Sequence, residues 1–187
     1  LRSKVISNKT ELVIFYAGHG LATQDGDKQD LYLLAQNADT DLLSISAISR
    51  SALFEEIKSF KPKSVTIFFD ACYSGTSRDN KELIANARPL QIIKDKESNI
   101  PKNFTIFSAA QGNQISSGLK NGEHGIFSYY LMKGLEGLAD QNNDNKITNG
   151  ELQAFMKIKV PQKASEWGRE QNPTFTGNPD KVLISYK

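Results

Sequence analysis

The sequence predicts an α/β protein built on a mainly parallel sheet, with helices on both of its faces. Three observations carry that expectation. Four short, mostly apolar runs rich in β-branched and aromatic residues read as buried strands: "LVIFYAG" (12–18), "VTIFFDA" (65–71), "FTIFSAA" (104–110) and "KVLISY" (181–186). Stretches with apolar residues at helical spacing lie between them. Strands that alternate with helices imply crossovers over a parallel sheet.

The first run, 12–18, raises a question about its neighbours. The residues before it, "LRSKVISNKTE" (1–11), hold no complete strand. A fully buried inner strand needs partners on both sides, and an open apolar edge invites aggregation. We therefore expect the chain to be a piece of a longer protein, or to need an N-terminal segment or a second chain that completes the sheet. "LYLLA" (31–35) reads as a fifth strand, in a hairpin at the edge. Ser46 to Phe60 predicts a helix with Ile48, Leu53, Phe54 and Ile57 on one face, ending before Pro62. Phe127 to Leu138 carries Phe127, Tyr130, Leu131, Leu135 and Leu138 at helical spacing. Leu152 to Val160 predicts a third helix, stopped by Pro161.

Composition narrows the function. The 187 residues are enough for one domain, 1–187, with a sizeable core. With 23 Lys and Arg against 21 Asp and Glu, the net charge of +2 gives no electrostatic case for nucleic acid or an anionic membrane. No apolar run approaches the length of a bilayer span, and no signal peptide opens the chain. The single cysteine excludes an internal disulfide framework and a cysteine-built zinc site, and fits a reducing, cytoplasmic setting.

In an open parallel sheet, ligands bind beyond the carboxyl ends of the strands. His19 and Gly20 follow the first long run, and Cys72 follows "VTIFFDA". Neighbouring strands lie about 4.8 Å apart, so an imidazole and a thiol at the ends of adjacent strands can face each other across a cleft. A thiolate attacks a carbonyl while an imidazole moves protons to and from the leaving group. Turns at Gly18, Gly20 and Gly75 suit backbone amides that hold an oxyanion. Taken singly, a buried cysteine and a turn histidine are ordinary structural residues. Together, at matching strand ends, they favour catalysis.

"YAGHG" (16–20) followed by "DACYSG" (70–75) resembles the caspase-like cysteine peptidases, most of all metacaspases and their prokaryotic relatives. "FTIFSAAQGNQIS" (104–116), "GEHGIFSYYLMKGLEG" (122–137) and "QNPTFTGNPDKVLI" (171–184) are similar to further family segments. The resemblance implies a caspase-like three-layer sandwich that lacks the family's first strand and helix. It implies His19 as general acid/base, Cys72 as nucleophile, and an oxyanion hole of the Gly20 and Cys72 amides. It implies that Asp70 lines the pocket for the side chain before the scissile bond, where a carboxylate favours Arg or Lys. No basic residue could be placed in the role that selects Asp in caspases proper. Ser108 and Ala109 would offer backbone groups to an extended peptide substrate. Asp25 and Asp27, after His19, would assist. His124 sits in a Gly-rich turn before a helix and reads as structural. The chemistry needs no cofactor. The polar, Lys-rich interval 76–102 is either a self-cleavage loop or a plain surface loop.

A second motif lies at 140–151, "DQNNDNKITNGE". Counted from Asp140 it follows the EF-hand pattern, with Asp140, Asn142 and Asp144 at places one, three and five. Lys146 gives a carbonyl at seven, Thr148 is ninth, and Glu151 closes the shell at twelve. Ile147 fills the apolar eighth place, and Asn145 replaces the glycine at six, since Asn tolerates a left-handed turn. The pattern predicts Ca²⁺ in a structural or regulatory role. The bland reading is an Asx-rich connection between helices. For the whole chain the lead reading is a cysteine endopeptidase cutting after Arg or Lys. The alternatives are a catalytically silent caspase-like interaction module, or a relative with other specificity.

Overall fold

The computed structural model describes residues 2–25, 28–39, 42–71, 73, 100–110, 114 and 124–186. Its centre is a four-stranded sheet in the order β1-β5-β6-β8. Strands β1 (Glu11–Ala17), β5 (Ser64–Asp70) and β6 (Phe104–Ser108) run parallel, and β8 (Thr174–Thr176) closes the sheet antiparallel to β6. The all-buried pattern of β5 and β6 is what two-sided cover demands of a central parallel strand.

Alternation along β5 and β6 divides the core between two faces. Val65, Ile67, Phe69, Phe104 and Ile106 pack on one face with Ile57 of α2 (Arg50–Ser59). Ala22 and Leu33, from strands β2 (Gly20–Asp25) and β3 (Lys28–Leu34), join them. Phe68 and Phe107 face the other way, onto α3 (Ile126–Lys133) and α4 (Asn149–Ser165). Helices thus cover both faces of a mainly parallel sheet, as the alternation of strands and helices predicts.

Six expectations need correction. Residues after His19 form strand β2, which pairs antiparallel with β3, so the "LYLLA" strand starts earlier, at Lys28. The hairpin is extended by β4 (Ala47–Ser49) into a three-stranded sheet separate from the central one. The helix expected from Ser46 begins at Arg50, because Ser49 caps it: its side chain accepts from the Ala52 amide at 3.2 Å. A short turn, α1 (Leu43–Ser46), precedes β4, and Ile48 is exposed, off the apolar face.

The helix over 127–138 changes character at Gly134. Gly134–Leu138 is a π-helical turn with Gly137 at φ 122°, and it leaves Leu138 exposed. Gly134 lets α3 approach α4 closely, since a Cβ there would lie 2.7 Å from Leu152 Cδ1. Pro161 does not stop α4, which runs to Ser165. An interior proline costs about 3 kcal/mol or more. The buried row Leu152, Phe155, Met156, Val160 and Ala164 continues past it and offsets that cost, at roughly 1.5–3 kcal/mol for each large apolar side chain.

The last two corrections concern strands at the margins. "KVLISY" yields β9 (Val182–Ser185), but β9 pairs with β7 (Lys146–Thr148) in a two-stranded ribbon, and β8 takes the place in the central sheet. Strand β1 is not buried on both faces. Its exposure alternates, with Val13 68% and Phe15 53% exposed, while Leu12, Ile14 and Tyr16 pack inward. Among the described residues β1 has a neighbour, β5, on one side only.

Candidate active site

The parallel register of β1 and β5 sets the site. It runs from Glu11↔Ser64 to Ala17↔Asp70 without a bulge. In sequence, His19 stands two residues beyond Ala17, and Cys72 two residues beyond Asp70. The turn after β1 is tied to β5, since the Gly18 amide donates to the Asp70 carbonyl at 3.2 Å. Cys72 lies outside the described residues, as do Asp27 and most of the 76–102 interval.

His19 is exposed, between the end of β1 and Gly20, the buried first residue of β2. Its backbone is held tightly. The His19 carbonyl accepts from the Leu34 amide at 3.0 Å and from the Tyr16 hydroxyl at 2.6 Å. The same hydroxyl lies 2.8 Å from the Leu34 carbonyl. Gly18 makes room for that phenol, because a Cβ there would lie 2.7 Å from the Tyr16 oxygen. The sequence "YAGHG" therefore has a local physical reason: tyrosine under the turn, glycine over the tyrosine, histidine presented outward.

Asp70 is fully buried at the end of β5. Alternation directs its side chain to the α3 face, where Oδ2 accepts from the Ser128 amide at 3.3 Å and from the Ser128 hydroxyl in a short contact. Gly125, the residue before α3, is as close: a Cβ there would lie 3.0 Å from Asp70 Cγ. Ser108 ends β6, buried between Phe69 of β5 and Thr174 of β8. The Ala109 amide donates to the Phe69 carbonyl at 2.8 Å, and the Ala109 carbonyl accepts from Gln171 Nε2 at 3.0 Å. Asp25 belongs to the far end of β2, paired with Lys28. His124 is exposed, just before Gly125.

Two groups escaped the sequence reading. Arg50 is only 5% exposed, with its guanidinium 4.7 Å from the Phe69 ring centroid, 5.3 Å from Phe54 and 5.9 Å from Tyr73. A basic residue thus lies against the ring of Tyr73, the residue that follows Cys72. Arginine buries in this way by stacking its flat cation on aromatic faces. Ser128 is the other. Ser128 meets Asp70 and Arg50 meets Phe69 and Tyr73 across long sequence separations, which no local pattern signals.

The 140–151 loop is folded by its own amides. Asp140 accepts from the Asp144 amide at 3.2 Å and the Asn145 amide at 3.0 Å. Asn142 accepts from the Asp144 amide at 2.9 Å, and Asp144 accepts from the Lys146 amide at 2.9 Å. Asn145 takes the left-handed conformation at φ 60° that the sixth place requires, as does Asn143 at φ 58°. Thr148 and Glu151 form a capping box at the start of α4, with Glu151 Oε2 accepting from the Thr148 amide and hydroxyl, both at 2.8 Å. The backbone frame and the hard oxygen donors suit Ca²⁺. The carboxylates are not gathered, and among the described residues no three His, Cys, Asp or Glu side chains cluster as they would around a metal ion. Burial pushes the Tyr186 phenol upward, and the nearby Asp140 charge adds to the shift.

No helix among the described residues is long and apolar enough to cross a membrane. The family model of the caspase domain matches residues 3–184. No curated protein matches the chain.

Proposed function

The chain belongs to the caspase-domain family, a family of cysteine peptidases; from that premise we propose that it is an endopeptidase in which His19 and Cys72 form the catalytic dyad. The observation that supports this most is the in-register pairing of Ala17 with Asp70, two residues short of each partner. In the proposed reaction the Cys72 thiolate attacks the scissile carbonyl and forms the thioester, while His19 gives a proton to the departing amine. His19 then takes a proton from the water that hydrolyses the thioester. The amides of Gly20 and Cys72 would hold the oxyanion.

Asp70 is proposed to meet an Arg or Lys side chain before the scissile bond. Ser108 and Ala109 would offer backbone groups to the extended peptide. The Ala109 carbonyl already accepts from Gln171, but a carbonyl has two lone pairs and can accept a substrate amide as well. The test is turnover of fluorogenic peptides ending in Arg, Lys or Asp by wild type and Cys72→Ala. The reading expects Arg and Lys peptides to be cut, and only by the wild type. Preference for Asp, or equal turnover by both proteins, would overturn it. Fragments formed by the two proteins on standing would also show whether the 76–102 interval is cut by the enzyme itself.

A second reading, a catalytically silent interaction module, draws on the exposed Val13 and Phe15 and on the pairing of β1 on one side only among the described residues. An N-terminal segment or a second chain that adds a strand beside β1 is the proposed partner under either reading. For 140–151 we propose a weak calcium loop, in which Glu151 leaves Thr148 to join Asp140, Asn142, Asp144, Thr148 and the Lys146 carbonyl around the ion. The single catalytic thiol suits a reducing compartment, so the proposed location is the cytoplasm.

A further inference from the structure

Gly125 occupies the N-cap place before helix α3 and has no side chain with which to cap it. The first amides of a helix lack intrahelical partners and favour negative charge. Here the cap comes from another element. Asp70, on β5 and 58 residues before Ser128 in sequence, accepts from the Ser128 amide and hydroxyl. The glycine is required for that approach, because any side chain at 125 would occupy the place of the Asp70 carboxylate. The direction of the Asp70 carboxylate is therefore set by the start of α3 rather than by β5 alone.

We propose that Ser128 is a positioning residue for recognition of a basic side chain, fixing the Asp70 carboxylate in the space that Gly125 leaves open. This rests on the reading of Asp70 as the carboxylate that meets Arg or Lys. A guanidinium is recognised by two parallel hydrogen bonds in one plane, so its binding depends on the rotation of the carboxylate as well as on its charge. Ser128, with an amide and a hydroxyl on the same oxygen, fixes that rotation.

The test compares a fluorogenic peptide ending in Arg with its neutral isostere ending in citrulline, in wild type, Asp70→Asn, Ser128→Ala and Ser128→Thr. The expected Arg-over-citrulline ratio of kcat/KM falls at least tenfold in S128A, through the KM for the Arg peptide, and stays within threefold of wild type in S128T, which keeps the hydroxyl. In D70N it collapses. A wild-type ratio in S128A beside a collapsed ratio in D70N overturns the positioning role and leaves the Asp70 reading standing. An unchanged ratio in D70N overturns both. Thermal shift with benzamidine, a flat cation, needs no turnover and is read in the same four proteins. The expected half-saturating concentration rises at least tenfold in S128A and not in S128T. A wild type that shows neither turnover nor a benzamidine response overturns both readings. Loss of fold in S128A would show as a lower unfolding temperature without benzamidine, and S128T then decides: a ratio or half-saturation unlike wild type counts against the proposal.

Discussion

Two carboxylate sites of this protein are built in opposite ways. Asp70 is fully buried and is held by Ser128, far along the chain on another element, in the space beside Gly125. The carboxylates of 140–151 lie at or near the surface and are held by amides of the same twelve residues. The first site depends on the tertiary fold, so disturbing it disturbs the joint between β5 and α3. The second is a local structure that persists as long as α4 and the β7–β9 ribbon hold its ends, with the Tyr186 amide donating to the Asn145 carbonyl at 2.8 Å.

The contrast predicts a graded set of responses. Asp70→Asn should have the largest effect, lowering kcat/KM for Arg peptides about a hundredfold or more, since a charge-assisted pair is lost at a fully buried carboxylate. A small loss there, measured with the same peptides, would make Asp70 resemble the surface carboxylates. Gly125→Ala comes next. Overfilling this tight place should cost about 1–3 kcal/mol in urea unfolding, whereas Gly150→Ala, where a Cβ meets Pro179 at 3.2 Å and has more room, should cost less.

Tyr16→Phe removes the hydroxyl beneath the His19 carbonyl, for about 1 kcal/mol of stability. Its effect on turnover should fall on kcat more than on KM, since it loosens the histidine turn and not the pocket. In the surface loop, Ca²⁺ should raise the unfolding temperature by a few degrees over a chelator control, through preferential binding to the folded form, and Glu151→Gln should abolish that rise. An equal rise in Glu151→Gln would mean that the ion binds elsewhere.

The smallest effect concerns pH. Tyr186 donates its hydroxyl to the Leu135 carbonyl, and burial followed by the Asp140 charge holds its phenol above the ordinary value of about 10. The stabilisation linked to this raised value is fully present below about pH 10 and is lost as pH rises through the folded value. Tyr186→Phe should flatten the fall of unfolding temperature above pH 10.

The same contrast explains what could be read from the sequence. The central strands were legible because a strand covered on both faces must be mostly apolar, as at 65–69, where Thr66 is the one polar residue. The loop pattern was legible because each of its partners lies within five residues. The fate of β9 was not, since a short apolar run is equally suited to a central sheet or an edge ribbon, and the choice depended on β7. Pro161 misled because the stop rule weighs the backbone alone, while Val160 and Ala164 are buried by the core. His19 drew attention by its place after a strand, and Asp70 through the family resemblance. The partners that position them, Tyr16, Ser128 and Gly125, emerged only with the register and the packing of α3.

The central claim is that His19 activates Cys72 for attack on a peptide ending in a basic residue. The most direct measurement is covalent labelling of the chain's single cysteine by an acyloxymethyl ketone peptide ending in Arg, followed by mass spectrometry. Wild type should acquire one adduct, mapped to Cys72, at a rate at least about a hundredfold above that of His19→Ala, in line with the general range for acid–base assistance. Iodoacetamide should still label both proteins. Equal rates with the ketone in the two proteins would contradict the account.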